Sequence, residues 1–162
     1  MVESSKRELE EVIQNTKVRI AILGATGAIG KEIVDAAKQS THVEELFLIV
    51  RRPLEEWKQE DFTPKLTILQ KENFDDFSDI REQLEGKVDA CLCTLGARTK
   101  NGKEQFVLVD YTYPLNFAQF AKEINVPHFG LLTSAGAKAS SMFLYMKTKG
   151  QVEDAVKALD LP

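Results

Sequence analysis

The chain has little of what marks secreted, membrane-spanning or nucleic-acid-coating proteins. Only two of its 162 residues are cysteine and two are histidine, and His42 and His128 are too isolated in the sequence to indicate a metal site. No apolar run is long enough to span a membrane. The net charge of −4 lacks the basic excess of proteins that coat nucleic acid. We therefore expect no metal, no nucleic acid and no membrane span.

The N-terminus also lacks the features of a targeting segment. Its first eleven residues carry Glu3, Glu8, Glu10 and Glu11, whereas transit peptides avoid acidic residues and signal peptides need an apolar core. We expect neither, and predict a cytoplasmic location.

Cys91 and Cys93, the only cysteines, lie two residues apart in an apolar, strand-like run. Their side chains are therefore expected on one face of a strand, where they are poorly placed to form a disulfide with each other. We interpret them as small buried side chains in a reducing compartment. A redox-active pair is the alternative.

Length and patterning predict one α/β domain. A chain of 162 residues, 43% of them hydrophobic and 28% charged, suits a single globular domain that buries about two-thirds of its unfolded surface. Near-continuous apolar runs alternate with amphipathic ones, which favours a parallel sheet covered on both faces. We predict strands at 18–23, 46–50, 66–69, 88–95 and 128–133, and helices at 5–15, 29–39, 75–85, 104–125 and 142–159.

The predicted fold is a Rossmann-type, doubly wound parallel sheet in three α/β/α layers, with strand order 3-2-1-4-5. Residues 1–162 form one domain in this prediction, and residues 1–16 form a helical extension before it. Pro114 is expected to kink or restart the helix at 104–125.

The most informative segment is the glycine turn after the first predicted strand. Gly24, Gly27 and Gly30 follow the apolar run at 18–23 at intervals of three, and an amphipathic run begins there. In a dinucleotide site the first glycine permits the turn, the second admits the pyrophosphate, and the third lets helix pack on strand. The helix N-terminus then offers N–H groups to the phosphates. A tight turn without a ligand is the alternative.

The second predicted strand indicates which dinucleotide binds. NAD sites place an acidic residue about twenty residues beyond the glycines, where it binds the ribose hydroxyls. Here Arg51 and Arg52 occupy that place, with no acid between Phe47 and Pro53. Guanidinium groups attract a 2′-phosphate that an acid would repel, so the sequence predicts NADP(H). The alternative is a solvated charge pair that closes the strand.

The last predicted helix carries a candidate acid–base pair. Met142, Tyr145, Lys149, Val152, Val156 and Leu159 form one stripe at helical spacing. Lys149 is its only charged member, and a lysine on an inward face needs a partner. A cation beside a phenol favours the phenolate, which suits Tyr145 for general acid–base work on a carbonyl or alcohol. Ser134, after the fifth strand, is placed to bind the substrate oxygen. An incidental spacing on a helix surface is the alternative.

Taken together, these motifs resemble the short-chain dehydrogenase/reductases, and most closely the atypical HIV-Tat-interacting oxidoreductase family. The resemblance covers nearly the whole chain from about residue 8. The stretches that carry it lie at residues 22–27, 48–52, 93–96, 106–110, 128–134, 140–145 and 149–153.

The resemblance implies NADPH binding and a Tyr–Lys catalytic centre. Tyr145 would be the proton donor or acceptor, Lys149 its partner and a contact of the nicotinamide ribose, and Ser134 a supporting residue. The implied cofactor contacts are Gly24, Thr26, Gly27, Ala28, Ile29, Gly30, Arg51, Arg52, Leu95, Gly96 and Lys149.

This sequence departs from the family pattern in two places. Relatives continue beyond residue 162 with a sixth strand, an Arg-Pro-Gly loop and helices that wall the substrate pocket. Gln70 and Lys71 follow the third strand, where relatives often carry an acid near the adenine.

Three hypotheses about the function follow. The first is an NADPH-dependent reductase of small carbonyl compounds. The second is a regulatory module that senses NADPH and binds proteins, with a nuclear or nuclear-envelope location and a link to nuclear import and transcription implied by the resemblance. The third is that these residues are part of a longer protein.

Overall fold

Five parallel strands form one sheet in the computed structural model of the protein, which describes residues 16–161 apart from the side chain of residue 101. The strands are β1 (Val18–Leu23), β2 (Val43–Val50), β3 (Lys65–Gln70), β4 (Ala90–Cys93) and β5 (His128–Leu131). Their order is β3-β2-β1-β4-β5. The predicted strand order is therefore confirmed, while the helix predicted at 5–15 lies outside the described residues.

The predicted and observed strands differ most in β4. It spans four residues rather than the predicted eight, although its backbone hydrogen bonds to β1 extend one residue beyond each end, at Asp89 and at Thr94. Before it, the Asp89 carboxylate accepts a hydrogen bond from the backbone N–H of Arg19 at 2.7 Å. After it, the backbone N–H of Thr94 donates to the carbonyl oxygen of Leu23 at 2.8 Å. The chain beyond Thr94 is free to form a loop.

Four helices lie between strands along the described part of the chain, and a fifth follows β5. They are α1 (Ala28–Lys38), α2 (Arg81–Leu84), α3 (Lys103–Val107), α4 (Tyr113–Glu123) and α5 (Leu144–Ala158), with 3₁₀ turns at Gln59–Asp61, Ser78–Ile80 and Thr99–Asn101.

The helix predicted at 75–85 is wrong in its first half. The side chains of Asn73 and Asp76 accept hydrogen bonds from backbone N–H groups two residues further on. Such local bonds compete with an α-helix, so only a 3₁₀ turn and the four residues of α2 form.

The helix predicted at 104–125 contains a π-helical segment, Leu108–Thr112, between α3 and α4. Pro114 lies in the first turn of α4. Proline has no N–H to donate to the carbonyl four residues earlier, which belongs to Asp110. The helix restarts next to Pro114, at Tyr113, so the predicted restart is confirmed, and the irregularity falls on the turn before it.

The last helix starts at Leu144, two residues later than predicted. Met142 therefore precedes the helix, and it is 98% exposed. Its predicted place on the inward stripe is wrong.

Apolar clusters cover both faces of the sheet, which gives the predicted three layers. The cluster beside α4 is rich in aromatic rings, including Phe77, Phe117 and Phe120. The cluster on the other face joins Val34 and Ala37 of α1 to β2. Within residues 16–161, no helix combines the length and apolarity needed to cross a bilayer.

Cys91 and Cys93 are both buried in the cluster beside α4, on one face of β4 as predicted. Both are free thiols. Burial raises the pKa of each to about 12.

Candidate functional site

Two adjoining clefts open at the carboxyl ends of the strands, on either side of the point where the strand order reverses. The β2-side cleft encloses about 610 Å³, and the β5-side cleft about 320 Å³. The two share Gly24, Thr26, Arg51 and Leu95 as lining residues. They therefore form one continuous groove across the end of β1.

The glycine turn forms the floor of this groove. Gly24 has a φ of +96°, and a Cβ there would lie 2.8 Å from Leu95 N and Thr94 C, so no other residue fits. Gly27 donates its N–H to the carbonyl oxygen of Gly24 at 3.0 Å, and α1 begins one residue later. The first backbone N–H groups of α1 lie at the groove, where a helix binds an anion.

A Cβ at Gly30 would collide with the carbonyl oxygen of Gly24. Gly30 is buried and is not among the residues that line either cleft. It thus has the packing position of a third glycine, and a direct cofactor contact by Gly30 stays a prediction.

Arg51 and Arg52 follow β2 directly, and both are exposed on the β2-side cleft. Arg51 lines the β5-side cleft as well. The groove thus carries two guanidinium groups at the place where the sequence predicts a phosphate.

The wall after β3 contains a residue that the sequence analysis missed. Glu72 and Phe74 line the β2-side cleft. Lys71 is buried instead, in an ion pair with Asp79 and with its Nζ 5.5 Å from the centre of the Phe77 ring. An acid is therefore present on this wall, two residues beyond Gln70.

Tyr145 and Lys149 both line the β5-side cleft, one helical turn apart on α5. Tyr145 is 37% exposed, and its ring lies against Phe106 with centroids 5.9 Å apart. The Lys149 side chain is only 6% exposed. The predicted inward orientation of Lys149 is confirmed.

Close packing fixes the position of α5. A Cβ at Gly150 would collide with the backbone of Lys138 and Ala139, so this glycine lets the helix lie directly on the preceding loop. The N–H of Lys138 donates to the carbonyl oxygen of Met146 at 3.0 Å. Backbone contacts at Met146 and Gly150 thus hold the turn of α5 that carries Tyr145 and Lys149.

The charged partner of Lys149 is Asp110, which the sequence analysis did not single out. Asp110 lies in the π-helical segment, and its side chain is 1% exposed. Its Oδ1 lies 2.8 Å from Nζ of Lys149, and its Oδ2 accepts a hydrogen bond from the N–H of Ala97 at 2.7 Å. The available signal was a single acid at the end of the apolar stretch Val107–Val109.

Leu132 and Thr133 line the β5-side cleft, but Ser134 is not among its lining residues. The Ser134 hydroxyl donates to the carbonyl oxygen of Ala135 at 3.3 Å. The structure therefore brings Tyr145 and Lys149 together at the groove without Ser134, whose role stays a prediction. Apart from Gly30, all the predicted cofactor-binding residues line one or both clefts.

Comparison with known proteins matches residues 24–162 to a family described as NAD(P)H-binding. "Protein FMP52, mitochondrial" of Candida albicans is 36% identical over 140 residues, which cover 83% of this chain and 58% of that protein. "Protein HTATIP2" of Rattus norvegicus is 33% identical over 94% of this chain and 62% of its own length. The predicted family resemblance is confirmed. The chain spans about three-fifths of the length of these relatives.

The fold is shared with solved structures. The Bordetella bronchiseptica enzyme WbmG, in complex with NAD, superposes with a TM-score of 0.70 at 17% identity, over 93% of this chain and 53% of that one. This likeness supports the Rossmann-type fold.

The predicted cytoplasmic location is wrong. The Candida albicans relative and three others, each 31% identical, are named mitochondrial proteins. The four N-terminal glutamates were therefore a poor guide to location.

Proposed function

The chain belongs to the NAD(P)H-binding family, and from this membership we propose that it binds NADPH and reduces a carbonyl compound with Tyr145 as the acid. One observation carries the proposal. The glycine turn and the Tyr145–Lys149 pair open on the same groove, on opposite sides of the end of β4. A dinucleotide laid along this groove would bring its reactive end to the phenol.

The residues of the groove suit the parts of the cofactor. Bare backbone at Gly24 and the N-terminus of α1 suit the pyrophosphate. The β2-side cleft suits the adenosine half, with Phe74 available for the ring and the two arginines for a 2′-phosphate. The β5-side cleft suits the nicotinamide half.

The cofactor, when bound, supplies the hydride, and the protein handles the proton. Tyr145 would give its phenolic proton to the substrate oxygen as charge develops there. Lys149 would bind the ribose hydroxyls and stabilise the phenolate that remains. Ser134 would support the substrate oxygen after a small movement of the loop that follows β5.

The proposed role of Arg51 and Arg52 is tested by comparing the affinities of the protein for NADPH and NADH. We expect NADPH to bind at least tenfold more tightly than NADH, and the double change of both arginines to alanine to remove most of the difference. Fluorescence titration with each reduced cofactor measures it. Lys157→Ala is the matched control, because it removes an exposed cation from the far end of α5. Equal affinity in the unmodified protein would refute the preference.

The role of Tyr145 is tested by Tyr145→Phe, which keeps the ring against Phe106 but removes the hydroxyl. We expect turnover of quinones and aldehydes to fall at least a hundredfold, in line with the loss of a general acid, while the affinity for NADPH changes less than threefold. Tyr111→Phe, in the π-helical segment, is the control for loss of a phenol elsewhere. Unchanged turnover would remove Tyr145 from the mechanism.

A regulatory module that binds NADPH and another protein is the second candidate. Met142 and Phe143 support it, because they are 98% and 77% exposed just before α5, and large exposed apolar side chains favour protein contacts. Absence of any turnover, with NADPH binding intact, would favour this candidate.

The names of the relatives also lead us to propose a mitochondrial location. Fractionation of cells that express the natural reading frame tests it, with the protein expected to sediment with mitochondrial markers.

A further inference from the structure

We infer that Asp110 is a positioning residue that holds the Lys149 ammonium in the groove before the cofactor binds. The inference rests on the proposed function, because it assigns Lys149 a contact with the cofactor. Asp110 itself acts through Lys149 and through the loop after β4.

The two oxygens of Asp110 have separate partners. Oδ2 accepts the N–H of Ala97 at 2.7 Å, which fixes the loop that carries Leu95 and Gly96 along the groove. Oδ1 lies 2.8 Å from Nζ of Lys149, and no described residue donates a well-directed hydrogen bond to it. One carboxylate thus ties α5 to the end of β4.

Within residues 16–161, the surroundings of the ion pair offer Lys149 no other acidic partner in the cleft lining. Of the described residues that line the β5-side cleft, Asp110 is the only acid, whereas Arg51 and Lys149 are cations. Both partners of the ion pair are almost fully buried. Solvent therefore has little access to either charge if its partner is removed. Loss of one partner would leave the other charge stranded in the interior.

The local backbone also favours a positioning role. Asp110 lies within the π-helical turn, a distortion that is frequent at functional sites. Proline at 114 leaves the Asp110 carbonyl without its usual helical donor. The chain therefore accepts an irregular turn at the residue whose carboxylate reaches Lys149. A cation held in place in this way binds a ligand with less loss of freedom.

A double-mutant cycle on NADPH affinity tests the inference. The four proteins are the unmodified chain, Asp110→Asn, Lys149→Met and the double variant, each checked for folding by circular dichroism. Asparagine keeps an acceptor for Ala97 N–H but removes the charge that pairs with Lys149. We expect Asp110→Asn to weaken NADPH binding about tenfold (~1.4 kcal/mol) and to cause no further loss once Lys149 is methionine, because the neutral amide then also removes an unpaired buried charge.

Asp89→Asn is the matched control, because Asp89 also pairs with a cation, Arg19, but before β4 at the opposite end of the sheet. It should leave NADPH affinity unchanged. A merely structural role of Asp110 predicts the same loss of affinity with and without Lys149, which would overturn the inference, as would full affinity in Asp110→Asn. If Asp110→Asn does not fold, Lys149→Met and the double variant still decide, since we expect the double variant to bind NADPH no more weakly than Lys149→Met.

The two proposals fail in different ways. If the unmodified chain does not bind NADPH, the proposed function is refuted, and this role of Asp110 with it. If the unmodified chain binds NADPH but the two substitutions act independently, only the role of Asp110 is refuted.

Discussion

At Gly30 a side chain has no room, because a Cβ there would collide with the carbonyl oxygen of Gly24. At Gly27 the same atom would lie 3.3 Å away, which a small shift can accommodate. We therefore expect a substitution at Gly30 to affect mainly the stability of the fold, and one at Gly27 to affect mainly ligand binding.

We predict that Gly30→Ala destabilises the unliganded protein by about 1–3 kcal/mol, the usual cost of overpacking. Gly27→Ala should change the free energy of unfolding much less, yet weaken NADPH binding at least tenfold, because the second glycine admits the pyrophosphate. Urea unfolding and cofactor titration of both variants measure the two effects. A Gly30→Ala protein as stable as the unmodified chain would contradict the packing role.

The thiols of Cys91 and Cys93 give a second prediction at this scale. Because burial raises the pKa of each to about 12, the thiolate fraction at pH 8 is on the order of one in ten thousand. We expect neither thiol to react with a disulfide reagent within minutes in the native protein, and both to react in denaturant. Rapid native labelling would restore the interpretation as a redox pair.

Single residues were predictable from the sequence where a local pattern encodes the chemistry. Lys149 was found as a charge on an apolar stripe, and Gly24 by its spacing after a strand. Asp110 was not found, because its partner is 39 residues away in the sequence and nothing local marks the ion pair. Glu72 was not found either, because the sequence analysis looked for an acid at Gln70 and Lys71. The chain after β3 instead turns Lys71 inward and places Glu72 in the wall of the cleft.

Among the elements, β1 is held to the start of β4 by charge as well as by the sheet. The side chain of Arg19 donates to the two oxygens of Asp89 at 3.1 and 3.0 Å, and the Asp89 carboxylate also accepts the backbone N–H of Arg19. The side-chain hydrogen bond from Arg19 lowers the pKa of Asp89 below its usual value. This contact fixes the register of β4 at the end remote from the groove.

A pH dependence follows. The pKa of Asp89 is lower in the folded than in the unfolded chain. The contribution of its ionised carboxylate to the free energy of unfolding is therefore fully present above about pH 4, and it is lost as the pH falls through the pKa of the folded state. Asp89→Asn should reduce stability at pH 7 by at most about 1 kcal/mol, because the two side chains are about a third exposed. Urea unfolding at pH 7 and pH 3 should show this difference shrinking in acid.

A difference for Asp89→Asn that persists unchanged at pH 3 would show that ionisation of Asp89 does not contribute to the stability of the folded chain.

The elements were predictable to the extent that apolar runs define them. The limits of β1 agree with the sequence at both ends, since its apolar run ends at Gly24. The helix predicted at 75–85 was too long, because side chains of Asn73 and Asp76 cap local turns. The π-helical turn was not predicted as such, because proline indicates a break but not the form that the preceding turn takes.

At the scale of the whole molecule, one sheet separates two cores that differ in composition. The chain has a single tryptophan, Trp57, which packs against the cluster beside α1. The aromatic rings beside α4 form the other cluster. Both clusters include residues of β1 and β2, so neither core can be lost without exposing the strands that support the other.

We therefore predict one cooperative unfolding transition for residues 1–162, with Trp57 fluorescence and far-ultraviolet circular dichroism giving the same urea midpoint. Because the groove lies between the carboxyl ends of strands shared by both cores, bound NADPH should stabilise the whole chain rather than one face. At a hundred times its dissociation constant, NADPH should raise the free energy of unfolding by about 2.7 kcal/mol, moving both signals together. Two separate midpoints, or a shift in only one signal, would mean that the two faces of the sheet unfold independently.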